Sequence, residues 1–241
     1  MKIGIISDVH GNIEALQAVL AELYGAGIGQ IINTGDSVGY SAFPNECIAL
    51  IERQGIDGVM GNYDEAVAFN KPMCGCGYKD AEVARIGHQS LTWTQENTSE
   101  ETKRYLAELP KHMEFHSPAG KVVALHGGLE DLTQWITEQD TDLLRDLASK
   151  TGARLVILGH THIPFVTELD GTVFVNPGSV GRPFDGDSRA SYGIIKIGDG
   201  VDVQLKRVGY NVEKNIRELI DAGLPPEIGI MLRAGRNTHI A

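Results

Sequence analysis

Asp8-Val9-His10 sets a carboxylate and an imidazole two residues apart, directly after the apolar run Ile3-Gly4-Ile5-Ile6 and before a stretch with helical periodicity. In an open α/β sheet this is the carboxyl end of a strand, where ligands bind, and both side chains would enter the crevice there. Taken alone, the pair reads equally well as a turn with a helix cap or as a metal site. Four further strand ends carry residues of the same kind: Asp36 after Gly35, Asn62 after Gly61, His126 before Gly127, and His160 with His162 around Thr161. A fold that brings consecutive strand ends to one edge brings all of these side chains together. A mixture of carboxylate, imidazole and amide suits manganese, iron, zinc or nickel better than magnesium or calcium, which favour oxygen alone. Seven ligands exceed the needs of one ion. Two ions about 3.5–4 Å apart with a bridging carboxylate would use them, and Asp36 is the natural bridge.

The elements that must position these residues follow from periodicity. Ile13, Leu16, Val19, Leu20 and Leu23 recur at helical spacing behind Asn12, a suitable N-cap, with Gly25-Ala26-Gly27 as the stop. Gln30 to Asn33 reads as a buried strand, Asn45 to Gln54 as a helix introduced by Pro44, and Gly58-Val59-Met60 as a short strand. Lys71 to Lys79 is rich in Pro and Gly and reads as a surface loop or lid. Residues 80 to 109 read as two helices parted near Asn97-Thr98-Ser99, so that 71–109 is either a helical cap inserted in the domain or a solvated face. Met113–His116 and Lys121–Leu125 read as paired strands, Thr141–Thr151 as a helix and Arg154–Leu158 as a buried strand. Runs at 164–169, 172–175, 191–197 and 201–207 read as antiparallel strands, and Val212–Ala222 as an amphipathic helix. Two sheets packed face to face and flanked by helices accommodate this order in one domain over 1–241.

Composition narrows the function. With 42% hydrophobic and 22% charged residues the chain is an ordinary globular sequence, and no apolar run approaches the length of a membrane helix. No secretory leader precedes the first strand, and the cytoplasm is the expected compartment. A net charge of −11 argues against general binding to nucleic acid or an anionic membrane. An acidic protein can still act on phosphate where a local cation reverses the field. Cys47, Cys74 and Cys76 are read as free thiols, since C-x-C is not a zinc knuckle.

In this order and spacing, Asp8-x-His10, Gly35-Asp36, Gly61-Asn62, His126-Gly127 and Gly159-His160-Thr161-His162 resemble the calcineurin-like metallophosphoesterase superfamily over residues 1 to 182, the small single-domain prokaryotic members above all. The resemblance implies a four-layer α/β/β/α sandwich. It implies that Asp8, His10 and His162 hold one divalent ion and Asn62, His126 and His160 the other, with Asp36 between them and manganese preferred. It implies a phosphoesterase in which a hydroxide shared by the ions attacks phosphorus, acting on a small phosphate ester, nucleotides among the candidates. A catalytically silent scaffold on the same fold is the alternative of a different class, and all seven ligand positions being filled speaks against it.

This sequence departs from the family where many relatives continue the asparagine motif with histidine: here the residue is Tyr63. A phenol of ordinary pKa about 10 is a poor acid at neutral pH. The arginine that follows the bridging aspartate in Ser/Thr phosphatases is also absent, because Asp36 runs on as Ser37-Val38-Gly39-Tyr40. Both points favour a phosphodiester or activated ester over a Ser/Thr-type or nucleotide phosphomonoester. Asp36, Asn62 and Tyr63 are the expected catalytic residues, and Asn62, Tyr63 and Arg182 are expected to meet substrate, although Tyr63 reads equally well as a structural aromatic over the metals. Arg182 closes the rigid turn Asn176-Pro177-Gly178-Ser179-Val180-Gly181, which reads equally as a holder of a non-reacting phosphate through Arg182 or as packing at the sandwich edge. Trp93 and Trp135 are read as core, and His88, His112, His116 and His239 receive no role.

Overall fold

Lys2–Ile6 (β1) sets the architecture because its isoleucines are buried on both faces: Ile3, Ile5 and Ile6 are all 0% exposed, so one layer is required on each side. The computed structural model, which describes residues 1–77 and 80–237, supplies both layers. After β1 come Ile13–Gly25 (α1), Ile31–Asn33 (β2), Pro44–Arg53 (α2), Asp57–Gly58 (β3), Asn62–Ala68 (α3), Ala81–Asn97 (α4) and Glu100–Glu108 (α5). The second half continues with His112–Ser117 (β4), Gly120–Leu125 (β5), Thr141–Thr151 (α6), Leu155–Ile157 (β6), Phe165–Leu169 (β7) and Thr172–Asn176 (β8). Ala190–Ile197 (β9), Val201–Val208 (β10), Val212–Asp221 (α7) and Glu227–Ala234 (α8) complete it.

Two five-stranded sheets result, in the orders β10-β9-β1-β2-β3 and β4-β5-β6-β8-β7. In the first, β1, β2 and β3 run parallel and β9 and β10 antiparallel; in the second, β5, β6 and β8 run parallel between antiparallel β4 and β7. Ile3, Ile5 and Ile32 of the first sheet meet Val122, Ala124, Leu155 and Ile157 of the second in the interior between them. Burying each such side chain contributes about 1.5–3 kcal/mol, so this seam is a principal source of stability. On the outside, Leu16, Val19, Ile48, Leu219 and Ile228 cover the first sheet from the helices, and Leu144 and Leu147 of α6 cover the second. This is the four-layer α/β/β/α sandwich expected from the sequence. Among the described residues no helix is long and apolar enough to cross a membrane.

Local signals acted as chemistry dictates. The Asn12 side chain accepts from Ala15 N at 3.1 Å, Pro44 opens α2, and Ser99 accepts from Thr102 N at 3.1 Å where α4 gives way to α5. Three readings need correction. The strand placed at Gly58–Met60 is two residues long and ends at Gly58, and the following asparagine opens a helix, α3, too short for periodicity to reveal. The last four strands form two antiparallel hairpins, but in different sheets, and β8 also pairs parallel with β6. Cys74 and Cys76 are not free thiols: a disulfide joins them, because the chain turns back through Gly75 at φ +73°, which C-x-C spacing does not disclose. Cys47 is free and buried. Tyr78 and Lys79, the end of the expected loop, and His239 lie outside the described residues.

Candidate metal centre

Because β1 and β2 are parallel, their carboxyl ends deliver Asp8, His10 and Asp36 to one edge, while β5 and β6 of the facing sheet deliver His126, His160 and His162 to the same edge. Asn62 enters as the first residue of α3. The turns are interlocked through their backbones: Asp8 N donates to Gly35 O at 2.9 Å, His10 N to Asp36 O at 3.0 Å, Gly159 N to His126 O at 2.8 Å and Gly181 N to Asp8 O at 3.0 Å. Asp8, His10, Asp36, His160 and His162 all have left-handed backbone, with φ of 52°, 49°, 54°, 66° and 58°. For residues with a Cβ this conformation costs about 1–2 kcal/mol each. Strain gathered in this way is a mark of function rather than of folding economy. Gly61 is held by proximity, since a Cβ there would lie 2.0 Å from Asp36 Oδ1.

Three imidazoles have their tautomer set by the backbone. Nδ1 of His10, His126 and His162 donates to the carbonyls of Val38, Thr34 and Arg182 at 3.1, 2.7 and 2.5 Å. A carbonyl only accepts, so Nδ1 carries the proton and, in the neutral ring, Nε2 turns a lone pair inward. His10 Nε2 and His162 Nε2 then face each other at 3.1 Å, and His126 Nε2 faces Asn62 Oδ1 at 3.0 Å. Asp8 Oδ1 is buried without a hydrogen-bond partner, 3.3 Å from His162 Nε2, while Ser7 Oγ donates to its other oxygen at 2.6 Å. Asp36 Oδ1 accepts from Tyr63 N at 2.7 Å, and its Oδ2 lies between the two halves, 3.9 Å from His10 Nε2 and 3.5 Å from His126 Nε2. Ligand atoms of Asp8, His10 and His162 lie within 4.8 Å of one another, and so do those of Asp8, Asp36 and His126. His160 belongs to neither triplet; its ring centroid is 5.1 Å from that of His126, on the rim. With the imidazoles neutral, this buried set turns its lone pairs inward as the complement of cations, and these residues fit divalent ions.

Charge reinforces the point. Burial, with the His162 imidazole behind it, pushes the His10 pKa down to about 3, and burial with His126 pushes His160 down to about 4. Both rings are therefore neutral, as metal ligands must be. Burial would also lower His126, but the Asp36 carboxylate beside it, together with Asp8 and the Thr34 carbonyl, outweighs burial and carries the ring up to about 9. In the metal-free protein the His126 proton occupies the place of a cation. For Asp8, burial opposes ionisation but His162, then His126 and His10, overcome it and hold the carboxyl well below its usual range.

Tyr63 and Arg182, the other residues expected to meet substrate, both line the cavity. Tyr63 is 0% exposed, and its hydroxyl donates to Ser90 Oγ on α4 at 2.8 Å, so it offers the cluster its ring and not its oxygen. Burial, then Tyr40, raises its phenol well above the ordinary value. Nothing at residue 63 alone announces this; the small residues Gly87 and Ser90 one turn apart on α4 make the room. Arg182 is buried at the cavity edge, its guanidinium 3.9 Å from the Tyr40 ring and its Nε without a hydrogen-bond partner. The sequence reading overlooked Tyr40 and Phe184, which also line the cavity, Phe184 stacking on His162 at 4.1 Å. Trp135, read as core, is 45% exposed at the cavity mouth, edge-on to His160 at 5.5 Å. An aromatic residue two positions beyond an Asp-x-Thr turn gives no signal of that exposure.

A two-sheet sandwich whose strand ends converge as aspartate, asparagine and histidine defines the metallophosphoesterase class. The chain belongs to the calcineurin-like phosphoesterase superfamily, whose family model matches residues 1–200. It is 32% identical over 249 residues to an uncharacterised protein of Methanocaldococcus jannaschii, an alignment covering 97% of this chain and 98% of that one. A crystal structure of a metallophosphoesterase from Sphaerobacter thermophilus is 31% identical, with a TM-score of 0.79 over 98% of this chain and 100% of its own. A hypothetical protein from Pyrococcus horikoshii shares the fold, with a TM-score of 0.83 at 20% identity over 97% of this chain and 98% of its own.

Proposed function

We propose that this protein is a phosphoesterase dependent on two divalent metal ions, manganese preferred, and that it hydrolyses phosphodiesters or activated phosphate esters of small molecules in the cytoplasm. The observation that carries the reading is the cluster of inward-facing ligand atoms, above all the facing Nε2 atoms of His10 and His162 beside the unpartnered Asp8 Oδ1. Asp8, His10 and His162 would hold one ion, Asn62, His126 and His160 the other, with Asp36 between them. Bound divalent ions supply Lewis acidity at phosphorus and a nucleophile at neutral pH.

The chain's own residues do the rest. Backbone carbonyls fix the imidazoles in the tautomer that presents Nε2, and Asp36 is held by Tyr63 N so that its other oxygen faces both halves. Arg182, with its unpartnered Nε at the cavity edge, binds a phosphoryl oxygen that does not react. Tyr63 does not protonate the leaving group, since its hydroxyl is committed to Ser90 and its phenol is raised by burial. A leaving group that departs without protonation is therefore preferred, which supports diesters and aryl esters over alkyl monoesters. We read 1–241 as one domain in which 71–109 covers the α3 side of the centre as a cap, supported by the Tyr63 to Ser90 bond and by the contact of Cys74 with Asn62.

Purified protein with added manganese is expected to hydrolyse bis-p-nitrophenyl phosphate faster than p-nitrophenyl phosphate. Hydrolysis of neither with manganese, iron, zinc or nickel removes the proposal, and a preference for the monoester replaces the diester reading with the phosphomonoesterase one.

A further inference from the structure

The loop closed by the Cys74–Cys76 disulfide stands directly against Asn62. Asn62 Nδ2 donates to the Cys74 carbonyl at 2.9 Å and lies 3.4 Å from Cys76 Sγ. Because a carbonyl only accepts, the NH₂ half of the amide is committed to this loop, and Oδ1 must face the other way, where it meets His126 Nε2 at 3.0 Å. A half-turn of the same amide would put an NH₂ group where a cation has to sit. The loop is wedged from its far side as well: a Cβ on Gly75 would come 2.6 Å from Thr133 Cγ2, in the segment that carries Trp135. Cys76 lines the cavity of the metal centre. The outer wall of the loop forms an apolar groove with Ala84, Gly87 and Leu91, beside Met73, which is 72% exposed.

We propose that the Cys74–Cys76 loop is the positioning element for Asn62, holding Oδ1 toward the second ion while the disulfide is intact and releasing it when a dithiol reduces the pair. This rests on the reading of Asn62 as a metal ligand. Reduction begins when a thiolate of the dithiol attacks one sulfur and the other leaves as thiolate and takes a proton; the second thiol of the reductant then resolves the mixed disulfide. The cysteines gain two electrons as two thiols, and the reductant ends as a disulfide. With the covalent link gone, the packing of Gly75 against Thr133 is left to hold the loop, the Cys74 carbonyl no longer has a fixed place and the amide turns. An outer partner that orients a ligand is typically worth 10–100-fold in metal affinity.

The test uses the whole chain and manganese alone, read by calorimetric titration and by the spin-coupled electron paramagnetic resonance signal of a manganese pair. The oxidised protein is expected to bind two ions. After treatment with a dithiol and its removal under anaerobic conditions, one ion should bind as before and the other at least about tenfold more weakly, with loss of the coupled signal. Cys74→Ser with Cys76→Ser should copy the reduced state; the reduced wild type needs no substitution, so misfolding of that variant leaves the test intact. In Asn62→Asp either orientation presents an oxygen, and affinity for the second ion should be equal in both redox states. Equal affinity of the oxidised and reduced wild type for both ions overturns this proposal alone. Failure of the oxidised protein to bind any ion overturns the proposed function and this inference with it.

Discussion

His10 Nε2 stands 3.1 Å from His162 Nε2, and each ring has already committed its other nitrogen to a backbone carbonyl. Neither neutral ring has a proton to give the other. The contact is stable only with a positive charge between or beside the two lone pairs. A proton is disfavoured on His10 itself, which burial, then His162, pushes down to about 3. A divalent ion ligated by both nitrogens would supply that charge.

Manganese is accordingly expected to stabilise the protein. At one hundred times its dissociation constant a single bound ion adds about 2.7 kcal/mol. Thermal melting with and without manganese should show a rise that His162→Ala largely removes, with hydrolysis lost alongside. An undiminished rise in that variant would place the ion elsewhere.

The metal-free protein is expected to be most stable near pH 6.5. His10 at about 3 and His160 at about 4 lie below the ordinary 6.5, so the unfolded chain takes up protons that the fold refuses, and their contribution, complete above 6.5, is lost as pH falls. Asp64, raised by burial and Asp36 to about 7, acts oppositely: its contribution is complete below 3.8 and lost as pH rises toward 7. Two groups against one leave a net loss on acidification from 6.5. His126, at about 9, contributes below 6.5 and loses that contribution as pH rises through 9. Melting temperatures across pH 4 to 9 check this, and a steady climb from pH 7 to 9 would contradict it.

Asp64 ties two of the ligand turns together. Its carboxylate accepts from Ser37 N at 2.8 Å, Val38 N at 3.3 Å and Gly61 N at 3.1 Å, joining the Asp36 turn to the start of α3. Asp64→Ala strands these buried donors and should cost about 1–3 kcal/mol by chemical denaturation. Asp64→Asn keeps an accepting oxygen and should cost less than half as much.

Tyr63→Phe separates a catalytic phenol from a structural one. The hydroxyl bonds to Ser90, so the variant should lose about 1 kcal/mol of stability while kcat for bis-p-nitrophenyl phosphate stays within about threefold. A fall of a hundredfold would return Tyr63 to the chemistry.

Legibility in the sequence followed the range of the interactions. The candidate ligand positions could be picked out because each follows a strand marked by periodicity and glycine, and parallel strands end on one edge, which is why Asp8 and His126 meet across 118 positions of chain. The sandwich was legible for the same reason. The direction of a side chain was not: whether Tyr63 turns toward the cluster depends on Gly87 and Ser90 of a separate helix, and whether Trp135 is covered depends on what the loop before α6 leaves open. α3 escaped notice because seven residues are too few for a helical period, and its polar Asn62 and Asp64 are buried with its apolar ones. The disulfide escaped because it depends on the conformation of one glycine.

The left-handed backbone at Asp8, His10, Asp36, His160 and His162 has an evolutionary consequence. At each of these positions glycine would relax the main chain and asparagine would nearly do so, so drift toward stability runs toward loss of the ligands. A lineage released from the need for hydrolysis would lose these side chains early and keep the sandwich, whose cohesion lies in the seam between the sheets. All five in one chain mark a fold held away from its own optimum, as the proposed hydrolysis would require.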